Sequence, residues 1–351
     1  MSGPSLAQVV ELGDAALQAQ YGQRLRAQHR QALRAITGCR SGALGTLQLH
    51  CDHCDEDQWR ARSCGHRSCP QCQFHTTQQW LHRQNAKRLP VDYFLVTFTL
   101  PAELRTVARA QPKVVYDALF QAAAATLKAF GLNHKLQVQL GLCAVLHTHS
   151  RTLDYHPHLH VVVPGGGIDV KRRQWKQFQG RYLFNQQQLA TVFRARLLQA
   201  LSEAHVTLPR GIRDQWVVHC CNVGNGQKAL QYLSRYLYRG VIHNQQIDAV
   251  DSESGTVTFH YTDAKTQARM TRCLPIADFL WTVLQHVLPP GFHRVREYGF
   301  VHANAKATLR LVQWVLKARV PAPLHQPGIE CRHCHGRLRV SLILAPRRLM
   351  T

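Results

Sequence analysis

Acidic side chains are scarce: 20 Asp plus Glu face 43 Lys plus Arg in 351 residues, a formal net charge of +23. The excess runs along the whole chain and is not gathered in a tail. Such a balance points to a polyanionic partner, most simply nucleic acid held through its phosphates; an acidic protein partner is the alternative. Long apolar runs are also missing, and none approaches the roughly 20 residues that span a bilayer. The first thirty residues lack the basic start and apolar core of a secretory signal. No GxxxxGK[ST] loop is present, and the one glycine triplet, Gly165 to Gly167, lacks the GxGxxG spacing, so it reads as a turn or a close backbone approach. The expectation is a cytoplasmic protein. In that reducing setting twelve cysteines read as metal ligands and not as disulfides.

What is present divides into four stretches. Residues 1–36 read as a helical basic arm, with Arg24, Arg26, Arg30 and Arg34 on an exposed face that either contacts DNA or is merely solvated. Residues 37–85 change character and carry Cys51-x2-Cys54, fourteen residues, then Cys69-x2-Cys72. Two such hooks can each present two thiolates to one tetrahedral zinc, so the expected site is Cys51, Cys54, Cys69 and Cys72, with Cys39, Cys64, His50, His53 and His66 as spare candidates. Arg60, Arg62 and Arg67, between the hooks, are candidate phosphate contacts. Residues 90–300 form the main domain. Residues 301–351 are a basic C-terminal extension whose Cys331-x2-Cys334 supplies half a site, to be completed by its neighbouring histidines or by distant residues.

Within 90–300 the β-favouring residues of VDYFLVTFTLP predict a strand, and an alanine-rich helix follows over 103–130. Leu142 to Leu146 and His158 to Val163 predict two antiparallel strands joined by the polar SRTLDYHP. Strand alternation puts His158 and His160 on one face, and pairing would bring His147, eleven residues before His158, to the same patch. Neutral imidazoles ligate divalent metals, though three packed histidines is the bland alternative. The segment 171–185 interleaves Lys171, Arg172 and Arg173 with aromatics, suiting either single-strand binding or an exposed hairpin. Helices are expected from Asn185 to about Ala204 and between Gly226 and Gly240, the second striped by Leu230, Leu233 and Leu237. Tyr232 and Tyr236, four apart, share one face of that helix, with Lys228, Arg235 and Arg239 beside them; Tyr238 faces elsewhere. A hairpin over 245–275 with a Ser-Gly turn and further helices over 276–289 and 303–320 complete the chain.

Five blocks, SCGHRSCPQC, YFLVTFTLP, LHTHSRTLDYHPHLHVVVPGGG, YLSRYLYR and LPPGFHRVREYGF, together resemble the HUH superfamily of single-strand DNA nucleases. Within it the chain looks like the two-tyrosine rolling-circle insertion-sequence transposases, over about residues 39–300. The resemblance implies an α+β fold: a zinc ribbon, then a central antiparallel sheet carrying the histidines and flanked by helices. It maps the HUH pair to His158 and His160 and takes His147 as third ligand. His156 is the next choice, disfavoured by Pro157 and by strand parity. It further implies catalytic Tyr232 and Tyr236, structural Zn2+, and catalytic Mg2+ or Mn2+ (ligand type alone would favour zinc or manganese). The DNA partner would be single-stranded element ends and target, joined transiently as a 5′-phosphotyrosine. A plasmid replication initiator or relaxase with the same core, and a non-catalytic zinc-dependent DNA-binding protein, are the rival readings.

Overall fold

The computed structural model describes residues 3–72, 74–133, 137–178, 183–238, 241–263, 266–322 and 328–346. The chain opens with α1 (Leu6–Tyr21) and α2 (Ala27–Gly38), the first closed at its start by Ser5 and Gln8 in a reciprocal capping box. A hairpin of β1 (Thr46–Cys51) and β2 (Glu56–Ala61) follows, then α3 (Phe74–Lys87) and β3 (Tyr93–Thr99). Next come α4 (Arg105–Ala110), α5 (Pro112–Asn133), β4 (Gly141–His149) and β5 (Tyr155–Pro164). The small hairpin of β6 (Gly166–Asp169) and β7 (Gln174–Gln177) leads to α6 (Gln186–Glu203), β8 (Val218–Asn222) and α7 (Gln227–Tyr238). Three strands, β9 (Ile247–Asp251), β10 (Thr256–Thr262) and β11 (Arg269–Pro275), run into α8 (Ile276–Leu284) and β12 (Val295–Gly299). The chain ends in α9 (Lys306–Val315), β13 (Ile329–Glu330) and β14 (Arg337–Leu344). Among the described residues no helix is long and apolar enough to cross a membrane.

The organising element is an antiparallel sheet in the order β12-β4-β5-β3-β8. Residue parity decides which helices cover it. Phe94, Val96, Phe98, Leu142, Ala144, Leu146, Leu159, Val161 and Val163 face one side and form the largest core with residues of α5 and α6. Tyr93, Cys143, Val145 and Val162 face the other, where Trp80 of α3 and Leu230, Leu233 and Leu237 of α7 cover them. The leucine stripe expected of α7 is therefore its seat on the sheet. The close approach read from the glycine triplet is real: a Cβ on Gly165 would lie 2.9 Å from the Asp92 carbonyl.

The outer parts fold back on each other. Leu6, Val9, Val10 and Leu17 of α1 join Phe279, Leu280, Val283 and Leu284 of α8 in a second core. Gly13 makes that contact possible, since an added Cβ would meet Ile276 at 2.6 Å. Of the arginines in the arm, Arg26 donates to the Arg109 and Ala110 carbonyls, and Arg30 to Gln18 and the Gly22 carbonyl. The expected hairpin over 245–275 is a three-stranded meander, β11-β10-β9, with Gly255 in the turn at φ 63°. The two terminal parts also meet in a sheet ordered β13-β14-β1-β2. The stretches drawn at 37–85 and 301–351 therefore share one small sheet.

Candidate active site

The histidine constellation follows from register. His147 of β4 sits directly opposite His158 of β5, and His160, two residues along β5, pairs with Val145 on β4 and Thr97 on β3. All three side chains share the sheet face that α7 covers. Their ring centroids lie 5.2 Å (His147 to His158), 4.5 Å (His147 to His160) and 4.8 Å (His158 to His160) apart. One ring nitrogen from each falls within 4.8 Å of the other two.

The surroundings suit a metal. Burial holds His158 down at about 4 and His160 at about 3, and drives His147 well below the ordinary histidine value of 6.5, so all three rings are neutral. His158 donates Nδ1–H to the His156 carbonyl at 2.7 Å, which leaves the Nε2 lone pair for a ligand. Nδ1 of His160 lies 2.9 Å from Thr97 Oγ1, while its buried Nε2 has no hydrogen-bond partner. With Nδ1–H donating to Thr97, that Nε2 is a ready donor to a metal. Thr97 was not among the residues expected from sequence; its place opposite His160 in the β3–β5 register is the signal that finds it.

His156 lies outside the His147–His158–His160 cluster, though parity does not set it apart. It shares the alternation of His158 and His160, and its ring centroid is 5.3 Å from that of His158. Its Nδ1 instead accepts from Arg105 Nη2 at 2.7 Å, so the guanidinium occupies the lone pair a metal would need.

Tyr232 completes the cluster, its ring centroid 6.2 Å from His147 and 6.0 Å from His160. It is 36% exposed, enough to be reached from outside. Tyr236 belongs to the same helix one turn on; its side chain, like that of Tyr238, lies outside the described residues. A cleft of about 530 Å³ opens here, lined by His147, His158, Tyr232 and Arg235 and also by Arg151 and Tyr261. Arg151 and Tyr261 are additions from the structure. The β4–β5 loop carries Arg151, which donates to the Thr262 and Asp263 carbonyls and so ties the meander to the histidine sheet.

The remaining candidate phosphate contacts scatter. Lys228 is exposed on the first turn of α7 and Arg235 lines the cleft, while Arg239 lies outside the described residues. Lys171, Arg172 and Arg173 form the β6–β7 turn, beyond the far end of β5, about 20 Å along the strand from His158. Arg172 there pairs with Asp169. Arg60 lies on β2 and Arg62 just past it; Arg67 donates to the Phe292 carbonyl at 2.8 Å.

The four-cysteine set expected from sequence, Cys51, Cys54, Cys69 and Cys72, is not one site. Cys69 and Cys72 gather with Cys39 and Cys64, with Sγ of Cys72 3.4 Å from that of Cys39 and 3.5 Å from that of Cys64. Cys51 and Cys54 lie in a second cluster. The reason is β2: six of the fourteen residues between the hooks are extended, enough to carry the chain about 20 Å away. Cys64 comes after that strand, beside Cys39, because the Arg40 N–H bonds the Arg62 carbonyl at 3.1 Å. Local spacing showed two hooks; it held no information on which hook closes with which partner.

Comparison with known proteins shows the family to which the chain is similar. Residues 141–308 match a family model described as "Putative transposase", and residues 10–100 match "Transposase zinc-binding domain". The chain is 33% identical to "Putative transposase y4qJ" of Sinorhizobium fredii (strain NBRC 101917 / NGR234), over 92% of this chain and 86% of that one. It is 30% identical to "Transposase for insertion sequence element IS801" of Pseudomonas savastanoi pv. phaseolicola, over 82% of this chain and 74% of the relative. Among solved structures, "Conjugative Relaxase TrwC in complex with mutant OriT Dna" aligns with 89% of this chain and 96% of its own, at 14% identity and a TM-score of 0.28.

Proposed function

Because the chain belongs to the family of insertion-sequence transposases with an N-terminal zinc-binding domain, we propose that it nicks and rejoins single-stranded DNA at the His147–His158–His160 cleft, with Tyr232 and Tyr236 as nucleophiles. One observation carries the reading: three neutral imidazoles and an accessible tyrosine, drawn from β4, β5 and α7, converge in one cleft with two arginines. A divalent ion, Mg2+ or Mn2+, held by the three rings would polarise a non-bridging phosphate oxygen. Neutral rings suit that ion, because a protonated imidazole has no lone pair to offer.

The residues of the chain do the rest. Arg235 and Arg151 line the cleft with positive charge that a strand's phosphates would meet. The tyrosine oxygen attacks phosphorus, the bond to the 3′-oxygen breaks, and the strand remains attached as a 5′-phosphotyrosine. The phenol gives up its proton and the departing 3′-oxygen gains one. The new ester keeps the energy of the old, so a second 3′-hydroxyl can reverse the step without a nucleoside triphosphate. Zinc in the Cys39, Cys64, Cys69 and Cys72 cluster would hold the N-terminal module.

The test uses labelled single-stranded oligonucleotides with Mn2+ and a denaturing gel. Wild-type protein should carry covalent label that maps to Tyr232 or Tyr236. Each single Phe variant should lose part of the strand-transfer activity, and Tyr232→Phe with Tyr236→Phe should lose every adduct while still binding DNA. Adduct formed by the double variant would refute the two-tyrosine chemistry. Binding without any adduct in wild type would leave a DNA-binding protein only.

A further inference from the structure

We propose that Cys51, Cys54, Cys331 and Cys334 form a second, separate zinc site that clasps the C-terminal part of the chain onto the β1–β2 hairpin. Neither segment matched to a family includes Cys331 or Cys334. The four Sγ atoms lie within 4.8 Å of one another, Cys51 to Cys334 at 3.5 Å and Cys54 to Cys331 at 3.6 Å. Four thiolates about 2.3 Å from a tetrahedral zinc would sit about 3.8 Å apart. A disulfide would need about 2.05 Å, so these pairs have the spacing of ligands and not of bonded sulfurs.

The two hooks also share a backbone conformation. In each, the residue after the second cysteine is left-handed, Asp55 at φ 55° and His335 at φ 59°. In each, the N–H of that residue returns to the carbonyl of the first cysteine, Asp55 to Cys51 at 2.9 Å and His335 to Cys331 at 3.1 Å. The conformation is unfavourable for a side-chain-bearing residue, yet it recurs at both hooks. It turns the backbone N–H groups of His333 and Gly336 toward Sγ of Cys331 and Cys334, both at 3.4 Å. Gln58 Nε2 adds a contact to Cys331 Sγ at 3.3 Å. N–H groups aimed at sulfur stabilise the thiolate over the thiol.

Packing gives the site its purpose. Among the described residues, the sheet β13-β14-β1-β2 has a core of only Leu49, Leu338, Cys51 and Cys331, with Leu47, Cys54 and Cys334 half-buried around it. A core that small cannot hold a module by burial alone, and metal coordination is the usual substitute. Each of the paired strands brings one hook: β1 ends at Cys51, and β14 begins three residues after Cys334. One ion therefore crosslinks both partners of the β1–β14 ladder. The neighbouring histidines, His333 and His335, are not among the ligands.

The experiment counts zinc by elemental analysis in full-length protein carrying His158→Ala and His160→Ala, which remove the imidazole site from the count. That chain should hold about two zinc ions, and Cys331→Ser with Cys334→Ser should lower it to about one. Cys334→His, which keeps a ligand, should restore the second ion. Unchanged zinc in the double serine variant overturns the proposal. Should that variant fail to fold, alkylation of the unmutated chain decides: Cys54 and Cys334 should react far more slowly than the exposed Cys273 until EDTA is added. Reactivity that EDTA does not alter also overturns it. Nicking is not the readout, so the outcome is independent of the tyrosine chemistry.

Discussion

At the scale of single residues, His160, a proposed metal ligand, and Thr97 show how one hydroxyl can orient an imidazole. The two side chains meet because their strands are in register, and the 2.9 Å contact fixes which ring nitrogen faces the cleft. Thr97→Val preserves shape and strand preference but removes the acceptor. It should weaken Mn2+ binding about 10- to 100-fold, the usual range for losing a partner of a ligating histidine; titration calorimetry measures it, and unchanged affinity would mean packing alone orients the ring. Parity in HPHLH puts three histidines on one face, but His156 stands outside the cluster that His147 makes with His158 and His160, and the Arg105 guanidinium holds its Nδ1. Arg105 lies 51 residues from His156, so no local pattern could reveal that distinction.

Among the elements, α7 carries Tyr232, the proposed nucleophile, to the histidines. Leu233 is fully buried against the sheet, one residue after Tyr232. Leu233→Ala should cost about 2–5 kcal/mol of unfolding free energy, read from a urea transition. Adduct formation should fall more steeply than DNA affinity, because the helix loses its seat while the surface charges stay. A variant destabilised to this extent with full adduct yield would show that α7 needs no such seat. This element was legible: the leucine stripe, the glycine bracket and the two tyrosines all stand within sixteen residues. The central strands were legible too, since each alternates between two apolar faces and both faces are covered. Strand order and the β11 edge of the meander were not, because pairing between distant strands leaves no periodic trace. The cysteine hooks failed for the same reason.

For the whole molecule, the junctions are held by buried neutral histidines that acid should attack. His29 of α2 packs edge-on to Trp281 of α8 at 5.9 Å. His286, just past α8, is enclosed beside Thr148 Oγ1 at 3.2 Å and the Leu153 carbonyl at 2.9 Å. Burial holds each at about 4, below the 6.5 of an unfolded histidine. The folded chain then binds fewer protons, so stability is complete above about pH 6.5 and declines as pH falls toward 4. Urea midpoints across that window should show the decline, and His286→Asn should flatten part of it. A midpoint independent of pH between 6.5 and 4 would contradict the burial of both rings.

The pairing of β1 with β14 also has a consequence in time. Cys51 and Cys334 are 283 residues apart. At ribosomal speeds of about 5–20 residues per second, the hairpin emerges roughly 15–60 s before the strand that covers its edge. Throughout that interval β1 is an open edge with two exposed thiols, a template for any other strand nearby. Each newly made chain must therefore keep its first sheet unfinished until β13 and β14, residues 329–344, have arrived.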